Sequence, residues 1–368
     1  MTQSVTGVQR YATELVKALD RMIERGELDE KELAFTLLAP ASGSIADLNL
    51  SRIPVRRVGK LKGHLWEQLE LPLYARKGLL LNLCNTSPML KRNQVTTIHD
   101  AAVYAVPQTY SAPFRTWYKL LFAIARRGGS KRVVTVSEFS KEELVRYCGI
   151  PSSRIRTIYH GKEHLREYRA DTAYAAELAG KRPFVLAVSS RSPNKNFGSI
   201  QRAYQLLKAP KFDIVVAGGA HPSVFAGMEQ IGEGGQDGIG GYRYVGYVND
   251  SQLKALYEQA ACFVYPSFYE GFGLPPLEAM ASGCPVIVSD KASLPEVCGD
   301  AALYCDPHKP EQLAEQLGRL MNDPQLREEL RVKGLERANL YSWEKCSLET
   351  LATIREVLQC ELPSSMIG

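Results

Sequence analysis

The sequence predicts an α/β protein built of two Rossmann-like domains. Three observations carry that expectation. The chain has 368 residues, more than one core ordinarily serves, so two domains of about 100–200 residues each are expected. Short β-rich runs alternate with helix-periodic segments, the pattern of parallel sheets covered by helices. After a polar, Ala-rich stretch at 168–180, a second series of strands opens at Phe184.

The elements follow in order. Strands are expected at 34–38, 79–84, 95–98, 133–136 and 156–159, then at 184–188, 213–217, 244–245, 262–265 and 286–288. Val8, Ala12, Leu15, Val16 and Leu19 share one helical face. Ser140 and Glu143 form an expected capping box for a helix at 141–147. Beyond Asp306 the pattern is helical, at 310–322, 324–340 and 343–358. The break between domains falls near 160–169, giving domains of 1–165 and 166–342 and a flexible tail at 361–368. A doubly wound domain begins strand, glycine turn, helix. Here Thr6-Gly7 is preceded only by residues 1–5, so the first strand is expected to be short or missing and the N-terminus shortened.

Composition narrows the class. Hydrophobic residues make up 45% and charged residues 23% of the chain, values of a globular protein rather than a disordered or collagenous one. No apolar run approaches the roughly 18 residues of a membrane helix. Eight cysteines are scattered without a C-x-x-C pair, which reads as reduced thiols in the cytoplasm rather than a disulfide frame or zinc site. The net charge of +5 is uneven: residues 1–165 hold 25 basic and 15 acidic side chains, residues 166–368 hold 20 and 25. Either these are solvated faces, or the N-terminal half meets an anionic surface. In the second reading the basic clusters at 52–62 and 126–132 suit a lipid-phosphate layer at the inner face of the plasma membrane. Basic residues are not interleaved with aromatics in a stripe, so nucleic acid is not an expected partner.

The chemistry concentrates at 267–283. Gly271 and Gly273 let backbone approach a ligand closely. Pro275 or Pro276 suits the start of a helix, whose free N–H groups and dipole would face an anion such as a diphosphate. Glu278, about one turn in, can accept from a ribose diol. Glu270 lies at a strand's C-terminal end, where α/β sheets bind ligands. Lys195, after the strand at 184–188, could neutralise a leaving diphosphate, and Arg191 could add a forked contact. His99-Asp100 also follows a strand. Neither an Asp-x-Asp nor a pair of cysteines with ligand spacing suggests a metal.

With two glutamates eight apart around Gly-Phe-Gly-Leu-Pro, the chain resembles the retaining glycosyltransferases of family 4, of the GT-B fold. Cys284-Pro-Val-Ile-Val-Ser289, Pro295-Glu296-Val297, the run 301–307 and Tyr341-Ser-Trp343 continue the likeness over nearly the whole chain. The resemblance implies two domains facing a cleft, 166–342 binding the nucleotide sugar and 1–165 the acceptor, with a last helix at 343–360 packing back on the N-terminal domain. It implies that Glu270 and His99 contact the donor sugar, Glu278 the ribose, and the amides of Gly271, Phe272, Gly273 and Leu274 the sugar and diphosphate. Thr6-Gly7-Val8 resembles the family's first glycine loop, and His160-Gly161 a structural Asn-Gly at the domain junction. The expected reaction is hexosyl transfer with retention, with no cofactor and no metal. Ile98-His99-Asp100 and Pro193-Asn-Lys195-Asn196 resemble bacterial polysaccharide mannosyltransferases, which implies GDP-mannose as the first choice of donor, with UDP- and dTDP-sugars as the others, and a glycan or lipid-linked oligosaccharide as acceptor. A sugar-nucleotide epimerase on the same fold, or a nucleotide-sugar-binding protein without turnover, are the alternatives.

Overall fold

The structure, a computed structural model, describes residues 6–42, 48–179, 182–188, 192–218 and 241–360. Three expectations lie outside these residues: the short or missing strand at 1–5, the site residue Arg191, and the flexible tail at 361–368. The chain divides into two compact units, Met1–Gly161 with Ser342–Gly368, and Lys162–Tyr341.

Unit 1 holds β1 (Leu37–Pro40), β2 (Val55–Val58), β3 (Leu80–Asn82), β4 (Gln94–Thr97), β5 (Arg132–Thr135) and β6 (Ile155–Thr157). All pairings are parallel: β1 pairs with β2, and β3-β4-β5-β6 form a second sheet. One core joins both sheets to two helices. The helix Gly7–Glu24 gives Tyr11, Leu15, Leu19 and Met22 at helical spacing, and Trp343–Gln359 gives Trp343, Leu351 and Ile354. Leu37, Leu81, Val95 and Val134 reach the same core from the strands. Gly161 is fixed by a chain crossing, since a Cβ there would lie 2.1 Å from the Trp343 amide nitrogen.

Unit 2 is a six-stranded parallel sheet of β7 (Phe184–Val188), β8 (Asp213–Ala217), β9 (Tyr242–Gly246), β10 (Cys262–Tyr265), β11 (Val286–Ser289) and β12 (Ala302–Cys305), in the order β12-β11-β10-β7-β8-β9. That is the doubly wound order, which reverses direction between β7 and β10. Phe184, Val185, Leu186 and Ala187 are all buried, as are the four residues of β10. Such strands, covered on both faces, read as continuous apolar runs.

Several local expectations are corrected. The helix expected at 141–147 runs Glu138–Cys148, and its cap is Ser137, whose hydroxyl accepts from the Ser140 amide at 3.0 Å. Ser140 is therefore inside the helix. The stretch 168–180 contains a helix, Thr172–Ala179. The strand expected at 34–38 is displaced to Leu37–Pro40. β2 and β12 were not expected at all: β2 is Val-Arg-Arg-Val with three exposed residues, and β12 is Ala-Leu-Tyr-Cys without β-branched residues.

Candidate active site

Ligands in doubly wound sheets bind beyond the strand C-termini where the order reverses. In unit 2 that point is flanked by the loops after β7 and β10, which carry Lys195 and Glu270. The loops are stitched together. The Phe268 amide donates to the Asn194 carbonyl at 2.9 Å. Asn196 Nδ2 donates to the Pro266 and Pro307 carbonyls at 3.0 and 2.7 Å. Asn196 takes φ 52°, a conformation Asn tolerates better than most residues. The turn delivers Lys195 Nζ to Glu270 Oε1 at 2.7 Å. Tyr265 OH, at the end of β10, accepts a further bond from Nζ, whose charge lies 4.9 Å above the Tyr265 ring centre. Ser267 Oγ donates to the same Glu270 oxygen.

Side-chain exposures of 22% for Lys195 and 13% for Glu270 leave the pair reachable from solvent. Burial alone would lower the Lys195 ammonium, but the Glu270 carboxylate and Tyr265 hydroxyl raise it more, and it stays above the ordinary lysine value. The ammonium is charged at any physiological pH.

The loop then enters the helix Leu274–Ala281 through Gly273, at φ 103°. A Cβ at Gly273 would sit 2.7 Å from Leu294 Cδ2, so conformation and space both demand glycine. Ser293 Oγ donates to the carbonyls of Glu270 and Phe272 at 2.9 and 2.8 Å. The Phe272 ring is buried edge-on to Tyr341, with centroids 5.8 Å apart. One expectation narrows here. Pro275 and Pro276 are the second and third helical residues, and neither has an N–H. The start of this helix therefore presents fewer N–H donors than a full turn.

Glu278 is buried, at 7% exposure, and both its oxygens are engaged. His164 Nε2 donates to Oε1 at 2.8 Å, and Tyr257 OH donates to Oε2 at 3.2 Å. Burial, then the Glu278 charge, pushes the Tyr257 hydroxyl far above its ordinary value. The carboxylate thus ties the helix Leu274–Ala281 to residue 164 and to the helix Asp250–Gln259. It lies apart from the hydrogen-bond network of Lys195 and Glu270. His164 and Tyr257 were not anticipated; His164 lies four residues after His160, and Tyr257 stands in no local motif.

The remaining expected residues lie in unit 1. Gly7 opens the Gly7–Glu24 helix with no atom within 4 Å of where a Cβ would stand. One turn later Tyr11 meets His99 edge-on at 4.9 Å. His99 is 4% exposed. Its amide donates to Asn85 Oδ1 at 2.7 Å and its Nε2–H to the Leu83 carbonyl at 3.0 Å. Burial pushes the imidazole down from 6.5 to about 4, against the Leu83 carbonyl, which favours the proton. The ring is neutral at pH 7, with Nδ1 as its acceptor.

Residues 171–337 match the family described as Glycosyl transferases group 1, and residues 72–164 match Glycosyltransferase Family 4. An O-antigen chain mannosyltransferase B of Escherichia coli is 31% identical over 94% of this chain and 95% of its own length. The chain belongs to glycosyltransferase family 4. As a member it is a hexosyltransferase, and its fold has solved counterparts. A sucrose-phosphate synthase from Thermosynechococcus elongatus superposes with a TM-score of 0.71 at 20% identity, over 98% of this chain and 95% of that one. Anabaena HepE, solved in complex with UDP and glucose, gives 0.71 at 16% identity, over 95% and 96%. These likenesses identify the GT-B fold. In this family 4 glycosyltransferase, the paired Lys195 and Glu270 stand at the switch point of the sheet, and Glu278 holds helices together beneath it.

Proposed function

We propose that this glycosyltransferase moves a mannosyl group from GDP-mannose, with retained configuration, to a glycan or lipid-linked acceptor in surface polysaccharide biosynthesis. The observation that carries the reading is the partly exposed Lys195–Glu270 pair at the switch point, 2.7 Å apart. The full-length similarity to an O-antigen chain mannosyltransferase supports the choice of sugar and acceptor class.

The roles follow from charge and position. Lys195, permanently cationic and held by Glu270 and Tyr265, meets the charge that builds on the leaving diphosphate. The Glu270 carboxylate accepts from donor sugar hydroxyls, and the amides from Gly271 to Leu274 bind the sugar and diphosphate. A carboxylate has about four lone-pair sites, so Glu278 keeps capacity for a ribose hydroxyl beyond His164 and Tyr257. Arg191 adds a diphosphate contact, and Gly7 and His99 serve from the N-terminal unit, His99 as a neutral ring. The acceptor oxygen attacks the anomeric carbon on the face from which the diphosphate departs. The new C–O bond forms as the C–O bond to phosphate breaks, and the acceptor proton passes to the leaving phosphate oxygen. No metal or other cofactor enters this scheme. The acceptor is met at the inner face of an anionic membrane, as a peripheral encounter, in keeping with the basic half of the chain.

The test is incubation with GDP-mannose and a mannose-terminated acceptor, with the anomeric configuration of the product read by NMR. An α-linked product supports retention. A β-linked product, or an altered donor without transfer as an epimerase would give, overturns it.

A further inference from the structure

Residues 63–74 of unit 1 form a continuous helical run: Gly63–Leu65, the wider π-turn Trp66–Glu70, and Leu71–Tyr74. Its inner face is anchored by Trp66 and Leu71, both buried, and by the Trp66 indole N–H, which donates to the Val58 carbonyl at 2.8 Å. Its outer face carries leucines at every fourth position. Leu65, Leu69 and Leu73 are 62%, 56% and 68% exposed. A neighbouring loop adds Leu90, 86% exposed. That loop is held alongside the run. Gln68 donates to the Ser87 carbonyl and accepts from the Met89 amide, both at 3.0 Å, and Lys91 Nζ donates to the Gly78 carbonyl at 2.8 Å.

The charges around this apolar ridge are of one sign. Lys60, Lys62, Arg76, Lys77 and Arg92 are exposed at its two ends and side. The two acidic residues of the run are turned to internal tasks: Glu70 accepts from the Lys60 and Leu61 amides at about 2.9–3.0 Å, and Glu67 lies 3.2 Å from His64 Nδ1. A ridge of leucines rimmed by cations is the composition of a helix that lies in a membrane interface, its apolar face among acyl chains and its cations at the phosphates. A second copy of this chain docking by the same face would set these cations against their own counterparts, a repulsive arrangement.

We infer that the face formed by Leu65, Leu69, Leu73 and Leu90 is the surface by which this enzyme docks on an anionic lipid bilayer. This deepens the reading of a lipid-linked acceptor by naming the residues that bring the N-terminal unit to it. Four partly inserted leucines and about four or five phosphate contacts give reversible, salt-sensitive binding rather than permanent anchoring.

The test is flotation of the full chain with vesicles of phosphatidylcholine alone or mixed with phosphatidylglycerol, at low and high salt. The expected result is binding to the mixed vesicles that falls with salt. The triple variant Leu65→Ser, Leu69→Ser, Leu73→Ser should lower the partition coefficient at least about tenfold. The variant Lys60→Gln, Lys62→Gln, Arg76→Gln, Lys77→Gln should abolish the preference for phosphatidylglycerol. All these side chains are exposed, so an unchanged unfolding midpoint verifies that the variants are folded. Mixed-vesicle binding that is absent in the parent, or equal in the leucine variant, overturns the inference. So does a concentration-dependent dimer of the parent that the leucine changes make monomeric, which would assign the face to a second copy. Mannosyl transfer to a soluble acceptor is read in parallel: its persistence when vesicle binding fails removes the docking surface and leaves the proposed reaction standing.

Discussion

Replacing Glu278 with alanine should unfold unit 2 more readily, whatever it does to donor binding. The carboxylate accepts from His164 at 2.8 Å and Tyr257 at 3.2 Å, and these donors are 1% and 0% exposed. Removing it strands two buried donors, each costing about 1–3 kcal/mol, and opens a small cavity. Together the two stranded donors cost about 2–6 kcal/mol. In a domain of this size each kcal/mol moves the midpoint by about 2–4 °C, so the transition should fall by roughly 10 °C. Glu278→Gln keeps the shape and one acceptor and should cost about 1–2 kcal/mol. Differential scanning calorimetry of the ligand-free chain reads both. A cycle with Tyr257→Phe sharpens the result: that change should cost about 1 kcal/mol in the parent and little in the alanine variant, where the hydroxyl has already lost its partner. A Glu278→Ala variant that unfolds within about 0.5 kcal/mol of the parent would show that the carboxylate is not structural. Loss of nucleotide binding in this variant must accordingly be compared with Glu278→Gln under conditions where both are folded.

Other changes separate the parts of the site. Lys195→Ala should lower kcat about 100-fold or more, measured by donor turnover, while the unfolding midpoint moves only a few degrees because the pair is partly exposed. Gly273→Ala, which places a Cβ 2.7 Å from Leu294 at φ 103°, should cost about 2 kcal/mol or more and reduce donor affinity; chemical denaturation and titration report the two. Acid should weaken unit 1 through His99. Its folded pKa, about 4, lies below the ordinary 6.5, so the unfolded chain takes up more protons between these values. Stability is fully present above pH 6.5, falls as pH drops toward 4, and levels off below. The ceiling is about 3 kcal/mol, and denaturation midpoints of His99→Gln against pH should lack this slope.

Much of unit 2 was legible in the sequence because burial on both faces writes strands as unbroken apolar runs. Phe184–Val188, Asp213–Ala217 and Cys262–Tyr265 have the expected bounds. β2 escaped because its two arginines and exposed position give no alternation, and β12 because of its four residues only Tyr304 favours a strand. Ser137 and Ser140 are three apart and both precede a glutamate-containing run, so sequence alone does not separate the cap from a residue inside the helix. At the site, Lys195 and Glu270 were legible as loop residues after strands; that they meet follows from the β7–β10 neighbourhood, which only the sheet order reveals. The partners of Glu278 could not be read at all. His164 is 114 residues away and Tyr257 21 away, and no local spacing pairs either with Glu278.

The central claim is most directly tested by the donor itself. Isothermal titration of the full chain with GDP-mannose, GDP, UDP-glucose and dTDP-glucose, repeated with Lys195→Ala, measures which nucleotide the switch-point pair serves. GDP and GDP-mannose should bind and the uridine and thymidine sugars should not, with GDP affinity about tenfold or more weaker without the Lys195 charge. Preference for a uridine or thymidine nucleotide would contradict GDP-mannose as the donor. GDP affinity unchanged in Lys195→Ala would contradict the assignment of the diphosphate to the Lys195–Glu270 pair.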